Sequence, residues 1–202
     1  MVGAMTLEQS IPFLIFSLVA AITPGPSNVM ITATGSAAGI VRGLPCVFGA
    51  GVGMASLLFT AALGLGQLIL GHPEILCAMN WCGAAFLLWL AWKIASAGRA
   101  GEPAATKPVG FFGAALFQWV NPKGWLVAVG AAGTYLQPET GSQLLQAIVF
   151  ASLFFTVAVP SGLVWLVLGA SMQGLLRDER HARVFNIAVA MALAASVVMI
   201  LW

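Results

Sequence analysis

Six apolar stretches, at roughly 11–34, 44–70, 74–97, 111–135, 143–170 and 184–202, take up most of this 202-residue chain. Each matches the roughly 20 residues that cross a hydrocarbon core. Backbone in lipid must satisfy its own hydrogen bonds, which makes such stretches helices. Charged residues make up 7% of the chain, against about 25% in soluble domains. So few charges cannot cover a water-facing surface, and the expected class is an all-α integral membrane protein held in a lipid bilayer. A net charge of +2 without a basic tract excludes nucleic acid as a partner. The first ten residues carry no Lys or Arg, so the first stretch reads as a retained span rather than a cleaved signal.

Basic residues set the orientation. Arg42 lies in the first connection, Lys93, Arg99 and Lys107 in or beside the third, and Arg177, Arg180 and Arg183 in the fifth. The second and fourth carry Glu74 and Glu139 and no base. The positive-inside rule makes the odd connections cytoplasmic and puts both termini outside. Trp92 beside Lys93 and Tyr135 at the end of the fourth stretch fit interfacial anchors. Cys46, Cys77 and Cys82 read as small buried hydrophobes. His72 and His181 fall in predicted loops without metal-like spacing, and no metal site is expected.

The polar run "GRAGEPAATKPVG" at 98–110 separates two halves: a three-helix unit over 1–98, a cytoplasmic linker over 99–110, and a second unit over 111–202. Three spans per half bring the second half in from the opposite side, which makes an inverted repeat. The strongest sign of the repeat is positional. The first and fourth stretches each contain a proline break, "ITPGPSNVM" at 22–30 and "VNPKG" at 120–124.

Both breaks read as helix starts. Thr23-Pro24 and Asn121-Pro122 place a capping side chain before a proline, which is favoured at the first helical position. At about 1.5 Å per residue, Thr23 lies roughly 18 Å and Asn121 roughly 15 Å into their stretches, near the middle of a core about 30 Å thick. Irregular backbone at that depth needs protein or a wet cavity around it. Two opposed half-helix N-termini would aim positive dipole ends at one region. Lys123 adds a full charge there, and every Asp and Glu lies at a terminus or in a connection. The counter-charge then belongs to a ligand, or the ammonium snorkels, or it pairs with carbonyls of a broken helix or with Gln118. Trp119 and Trp125 flank the second break and read as core packing more than substrate wall. Gly35, Gly39, Gly43, Gly49 and Gly53 have the spacing of close helix contacts, within one protomer or at a homodimer seam. Pro160 is expected to kink the fifth span.

The block "TPGPSNVMITATGSAAGIVRGLPCVFGAGVGM" (23–54) closely resembles the first-span block of the LysE/RhtB family of amino-acid exporters, and "FQWVNPKGWLVAVGA" (117–131) resembles its second. The resemblance runs over essentially the whole chain. It implies a bacterial inner-membrane exporter of amino acids or related metabolites, driven by the proton gradient. By position it carries over Pro24, Gly25, Pro26 and Asn28, then Asn121, Pro122 and Lys123. Many members have Asp where this chain has Ser27, a departure that argues against a cationic substrate and against a carboxylate proton carrier.

The expected function is therefore a secondary transporter for small carboxylate-bearing metabolites, working by alternating access. Its candidate binding residues are Thr23, Pro24, Gly25, Pro26, Ser27, Asn28, Gln118, Asn121, Pro122 and Lys123, with no cofactor beyond the proton gradient. The alternatives are a carrier or facilitator of another solute or ion, and a non-transporting scaffold. A metal-ion carrier lacks intramembrane carboxylates or histidines, and an enzyme lacks any acid, base or nucleophile set.

Overall fold

The computed structural model describes residues 7–66, 71–97, 108–136 and 142–201, and every regular element among them is helical. Seven α-helices follow in order: α1 (Leu7–Ile22), α2 (Pro26–Ala62), α3 (Pro73–Ala95), α4 (Phe111–Val120), α5 (Pro122–Tyr135), α6 (Gln143–Ser171) and α7 (Glu179–Leu201). A 3₁₀ turn, Leu175–Arg177, precedes α7. Four of them, α2, α3, α6 and α7, are long and apolar enough to cross a membrane. The remaining three, α1, α4 and α5, flank the two breaks, with α2 completing the first of them.

The expected connection near 35–43 is absent as a loop. Helical residues continue through it, interrupted only at Gly39, whose φ of 78° and ψ of −179° lie in a region essentially confined to glycine. The contacts with α6 show what that residue does. Ile31 and Val47 both lie beside Gly162, Gly35 and Gly43 both press on Leu166, and Gly39 sits beside Gln173. The arms on either side of Gly39 therefore run antiparallel, folded back at one residue. Arg42 is exposed at this fold. The polar-looking tip misled the sequence reading, because a glycine at positive φ reverses the chain without needing a loop.

Directions follow from the same contacts. The second arm of α2 meets α4 and α5 in parallel, with Gly49 on Phe111, Gly53 on Ala115 and Leu57 on Gly124. The first arm runs parallel to α6, Thr32 lying on Gly169 and Ser36 bonded to Gln173. The broken segments α1–α2 and α4–α5 consequently run in opposite directions. At Gly169 and Gly49 a Cβ would overlap the backbone carbonyls of Thr32 and Phe111, so these helices touch main chain to main chain. Gly35, Gly43, Gly49 and Gly53 make their close contacts within the chain, where the sequence had left open a seam between copies.

Buried apolar side chains form two clusters. One holds Met30, Cys46, Val47, Leu166 and the inner faces of α3, α4 and α7. The other holds Phe13, Leu57, Leu58, Trp125, Phe150 and Phe154. In the second, Phe13 stacks on Phe150 at 4.2 Å between ring centres, and Tyr135 closes on Phe13 and Phe16 at 5.5 and 5.6 Å. Tyr135 thus packs on α1, whereas Trp92 stays 69% exposed.

Other boundaries also differ from the expectations. The last helix starts at Glu179 rather than near 184, because Asp178 caps it: its Oδ1 accepts from the N–H groups of Arg180 (3.0 Å) and His181 (3.1 Å). Arg180, His181 and Arg183 are therefore helical, not in a loop. The α6 helix runs through Pro160 as one element. The expected loop residues Arg99, Lys107 and Glu139, with most of the linker at 99–110, lie outside the described residues.

Candidate functional site

At the first break Pro24 and Pro26 both lack an N–H, so no regular helix can run from α1 into α2. Helix α1 ends at Ile22, Gly25 is extended (φ −173°, ψ 176°), and Pro26 opens α2. Thr23 is not the cap expected of it. Its hydroxyl donates back to the Val19 carbonyl, and no side chain caps α2. A helix start leaves its first N–H groups without partners inside the helix, here those of Ser27 and Asn28.

The carbonyls at the end of α1 are, by contrast, heavily used. The Asn28 Nδ2 donates to the carbonyls of Ala21 and Thr23, both at 2.9 Å. Trp165 on α6 donates its Nε1 to Ile22 at 3.2 Å. Lys123 reaches across from the second break and donates its Nζ to Thr23 at 3.2 Å and Pro24 at 3.5 Å. Of the partners considered for the lysine, the carbonyls of the other broken helix are the ones it meets. No carboxylate lies with it among the described residues.

The second break is one residue long. Asn121 (φ −90°, ψ 108°) separates α4 from α5, and its Oδ1 accepts from the Lys123 backbone N–H at 3.2 Å. This is the cap that the sequence predicted, with Pro122 behind it at the first helical position. Gln118, in the last turn of α4, donates to the Ser27 hydroxyl at 2.9 Å and the Ala114 carbonyl at 3.3 Å. Three contacts between distant parts of the chain, from Lys123, Gln118 and Trp165, thus pin the first break.

Between the breaks lies a cavity of about 590 Å³, counted to its open mouth. Gly25, Ser27, Asn28, Gln118, Asn121 and Lys123 supply its polar wall, and Ile31, Met54, Val127 and Phe154 much of its apolar one. Thr23, Pro24, Pro26 and Pro122 do not line it. Thr23 and Pro24 present carbonyls to Lys123, and the other two prolines set the helix starts. Neither tryptophan beside the second break lines it. Trp125 is buried and donates to the Trp119 carbonyl at 2.8 Å, and Trp119 donates to Ser56 at 3.0 Å. The sequence reading missed Trp165, Met54, Val127 and Phe154, which carried no local signal. The cavity touches Ile31, Val47 and Ala50 of one apolar cluster and Phe154 of the other, so it borders both.

A family model described as LysE type translocator matches residues 18–201. The chain belongs to the LysE type translocators. As a member it is a multi-pass membrane protein and a transporter, not an enzyme. This translocator is 32% identical over 191 residues to proteins named cysteine/O-acetylserine efflux protein from Salmonella choleraesuis and Salmonella typhimurium. It is 30% identical to one of the same name from Escherichia coli O1:K1. Each alignment covers 94% of this chain and 96% of the relative. No solved structure matches it.

Proposed function

We propose that this translocator exports small amino acids or related carboxylate-bearing metabolites across the bacterial inner membrane. The observation that carries the reading is the cavity between the two breaks. Among the described residues its wall has one ammonium group, the uncapped start of α2, and no carboxylate. A lysine at mid-membrane costs a few kcal/mol, and backbone carbonyls offset this only in part. A substrate carboxylate meeting Lys123 Nζ and the N–H groups of Ser27 and Asn28 completes the pairing. The relatives' names point to cysteine and O-acetylserine as the first compounds to test.

The mechanism is alternating access. The opposite run of the two broken segments supports an inverted repeat, taken as three-helix units 1–98 and 111–202 joined by the linker 99–110, and the placement of basic residues puts both termini outside. The apolar clusters on either side of the cavity serve as the two closures, opened in turn as the repeats rock. Among the described residues Lys123 is the only titratable side chain lining the cavity. Coupling to the proton gradient therefore runs through Lys123 or through ionisation of the substrate. The lack of a carboxylate carrier favours, as a second reading, a facilitator without coupling, and a protonophore separates the two.

The test uses overexpressing cells preloaded with cysteine or O-acetylserine. Lys123→Met should reduce efflux to that of cells without the protein, at equal amounts of protein in the membrane. Unchanged efflux would defeat the reading.

A further inference from the structure

The hydrogen-bonding atoms around the cavity are unevenly committed. Asn28 is 8% exposed and Gln118 1% exposed, and both line the cavity. Asn28 turns its nitrogen to two backbone carbonyls, and Gln118 turns its own to the Ala114 carbonyl and the Ser27 hydroxyl. A carbonyl only accepts, so these partners fix which end of each amide is nitrogen. The other ends, Asn28 Oδ1 and Gln118 Oε1, are then two acceptors that no donor among the described residues reaches. Gln118 is bonded to Ser27, the neighbour of Asn28, so the two side chains adjoin in one wall. Neither oxygen is sealed in the core, where Ser161 Oγ is the one buried polar side-chain atom without a partner among the described residues, so both keep some access while their residues line the cavity.

The donors lie elsewhere in the same cavity. Lys123 Nζ has three protons and two carbonyl partners, the start of α2 is uncapped, and the Asn121 Oδ1 is occupied while its Nδ2 is not. We infer that Asn28 Oδ1 and Gln118 Oε1 form the acceptor pair for the substrate's α-ammonium group. The translocator then selects zwitterions, small amino acids with uncharged side chains, over carboxylates that lack the amine. The inference rests on the carboxylate site proposed at Lys123 and adds the opposite pole to it. An acid without an ammonium leaves both oxygens unpaired. A cationic amino acid brings a second positive charge towards Lys123, with Ile31, Met54, Val127 and Phe154 offering it no counter-charge.

The test is counterflow in liposomes containing the purified full-length chain, with labelled L-cysteine under reductant as the probe. The competitors are 3-mercaptopropionate, which is cysteine without its amine, and L-lysine. Wild type should prefer cysteine to either by at least about tenfold, the scale of a lost hydrogen bond to a charged group. Gln118→Met should bring the ratio of cysteine to 3-mercaptopropionate towards one, and Gln118→Glu, which keeps an oxygen there, should preserve or raise it. A merely structural role for Gln118 would lower both rates and leave the ratio alone. Equal competition by 3-mercaptopropionate in wild type overturns the ammonium site and leaves the carboxylate exporter standing. Failure to move cysteine or O-acetylserine at all overturns both. Should Gln118→Met not fold, the wild-type ratio together with Gln118→Glu decides.

Discussion

The two breaks look alike in sequence and are opposite in how their backbone is satisfied. At the second, Asn121 caps its own helix locally, and the interruption is one residue long. At the first, nothing caps α2, and the carbonyls of α1 are held by side chains from α2, α5 and α6. A self-contained helix start keeps its geometry whatever surrounds it. One held by Lys123, Gln118 and Trp165 changes when any of them finds a better partner. The comparison separates the roles: the second break is a rigid mount that delivers Lys123, and the first is the responsive part, an uncapped helix start whose Ser27 and Asn28 line the cavity.

The largest expected effect comes from crowding the responsive break. Gly25 is extended, a conformation open to any residue, so a side chain there adds no backbone strain. Its Cβ would lie 3.0 Å from Lys123 Nζ and 3.3 Å from its Cδ. The lysine end is flexible, and Gly25→Ala should shift it slightly and keep most of the transport. Gly25→Leu should fill the cavity and drive the ammonium off the Thr23 and Pro24 carbonyls. Losing even one contact of that kind, at about 1.5–3 kcal/mol, predicts at least a roughly 10- to 100-fold fall in cysteine efflux at equal protein level. Normal efflux in Gly25→Leu would place the working surface elsewhere.

The next effect is on stability, measured as thermal unfolding in detergent. Asn28→Ala leaves the Ala21 carbonyl without its donor, while Thr23 keeps Lys123. The expected loss is about 1–3 kcal/mol, the cost of an unsatisfied buried group. Asn121→Ala removes a helix cap and should cost about 1 kcal/mol. The ranking is what matters. If Asn121→Ala proves the more damaging, the mount and the responsive part have been assigned the wrong way round.

What could be read from the sequence follows the same division. Proline's missing N–H and the Asn-Pro cap act within one or two residues, so both interruptions and the Asn121 cap were visible locally. Lys123 was visible because a charge in an apolar stretch needs a reason. Asn28 was visible as a polar residue at the break, but its bonds back to Ala21 and Thr23 were not, since they depend on how the chain turns there. Gly39 belongs to the same glycine series as Gly35 and Gly43, and composition alone cannot tell a reversal from a contact. The apolar wall was hidden for a different reason. Lipid is as apolar as a protein interior, so hydropathy does not separate the two faces of a span. Leu57 is fully buried and Leu116 is 67% exposed, yet both are leucines in apolar helices.

A third helix start, placed outside the spans, isolates how much the membrane contributes. Asp178 caps α7 much as Asn121 caps α5, but it is exposed, with the His181 Nδ1 3.0 Å from its Oδ1. The His181 backbone N–H, bonded to the carboxylate, holds its pKa below the usual range. A carboxyl depressed in the folded state stabilises that state above its unfolded pKa, and the contribution disappears as pH falls through the folded one. Asp178→Ala should therefore lower the melting temperature slightly at neutral pH, by less than Asn121→Ala. The gap from wild type should close in acid, below the normal carboxylate range. Asp178→Asn keeps an accepting oxygen and should lose little at either pH. A pH-independent gap for Asp178→Ala would mean that packing, not the carboxylate cap, holds this end. An effect as large as that of Asn121→Ala would mean that burial adds nothing to a cap, and the contrast between the two breaks would lose its energetic basis.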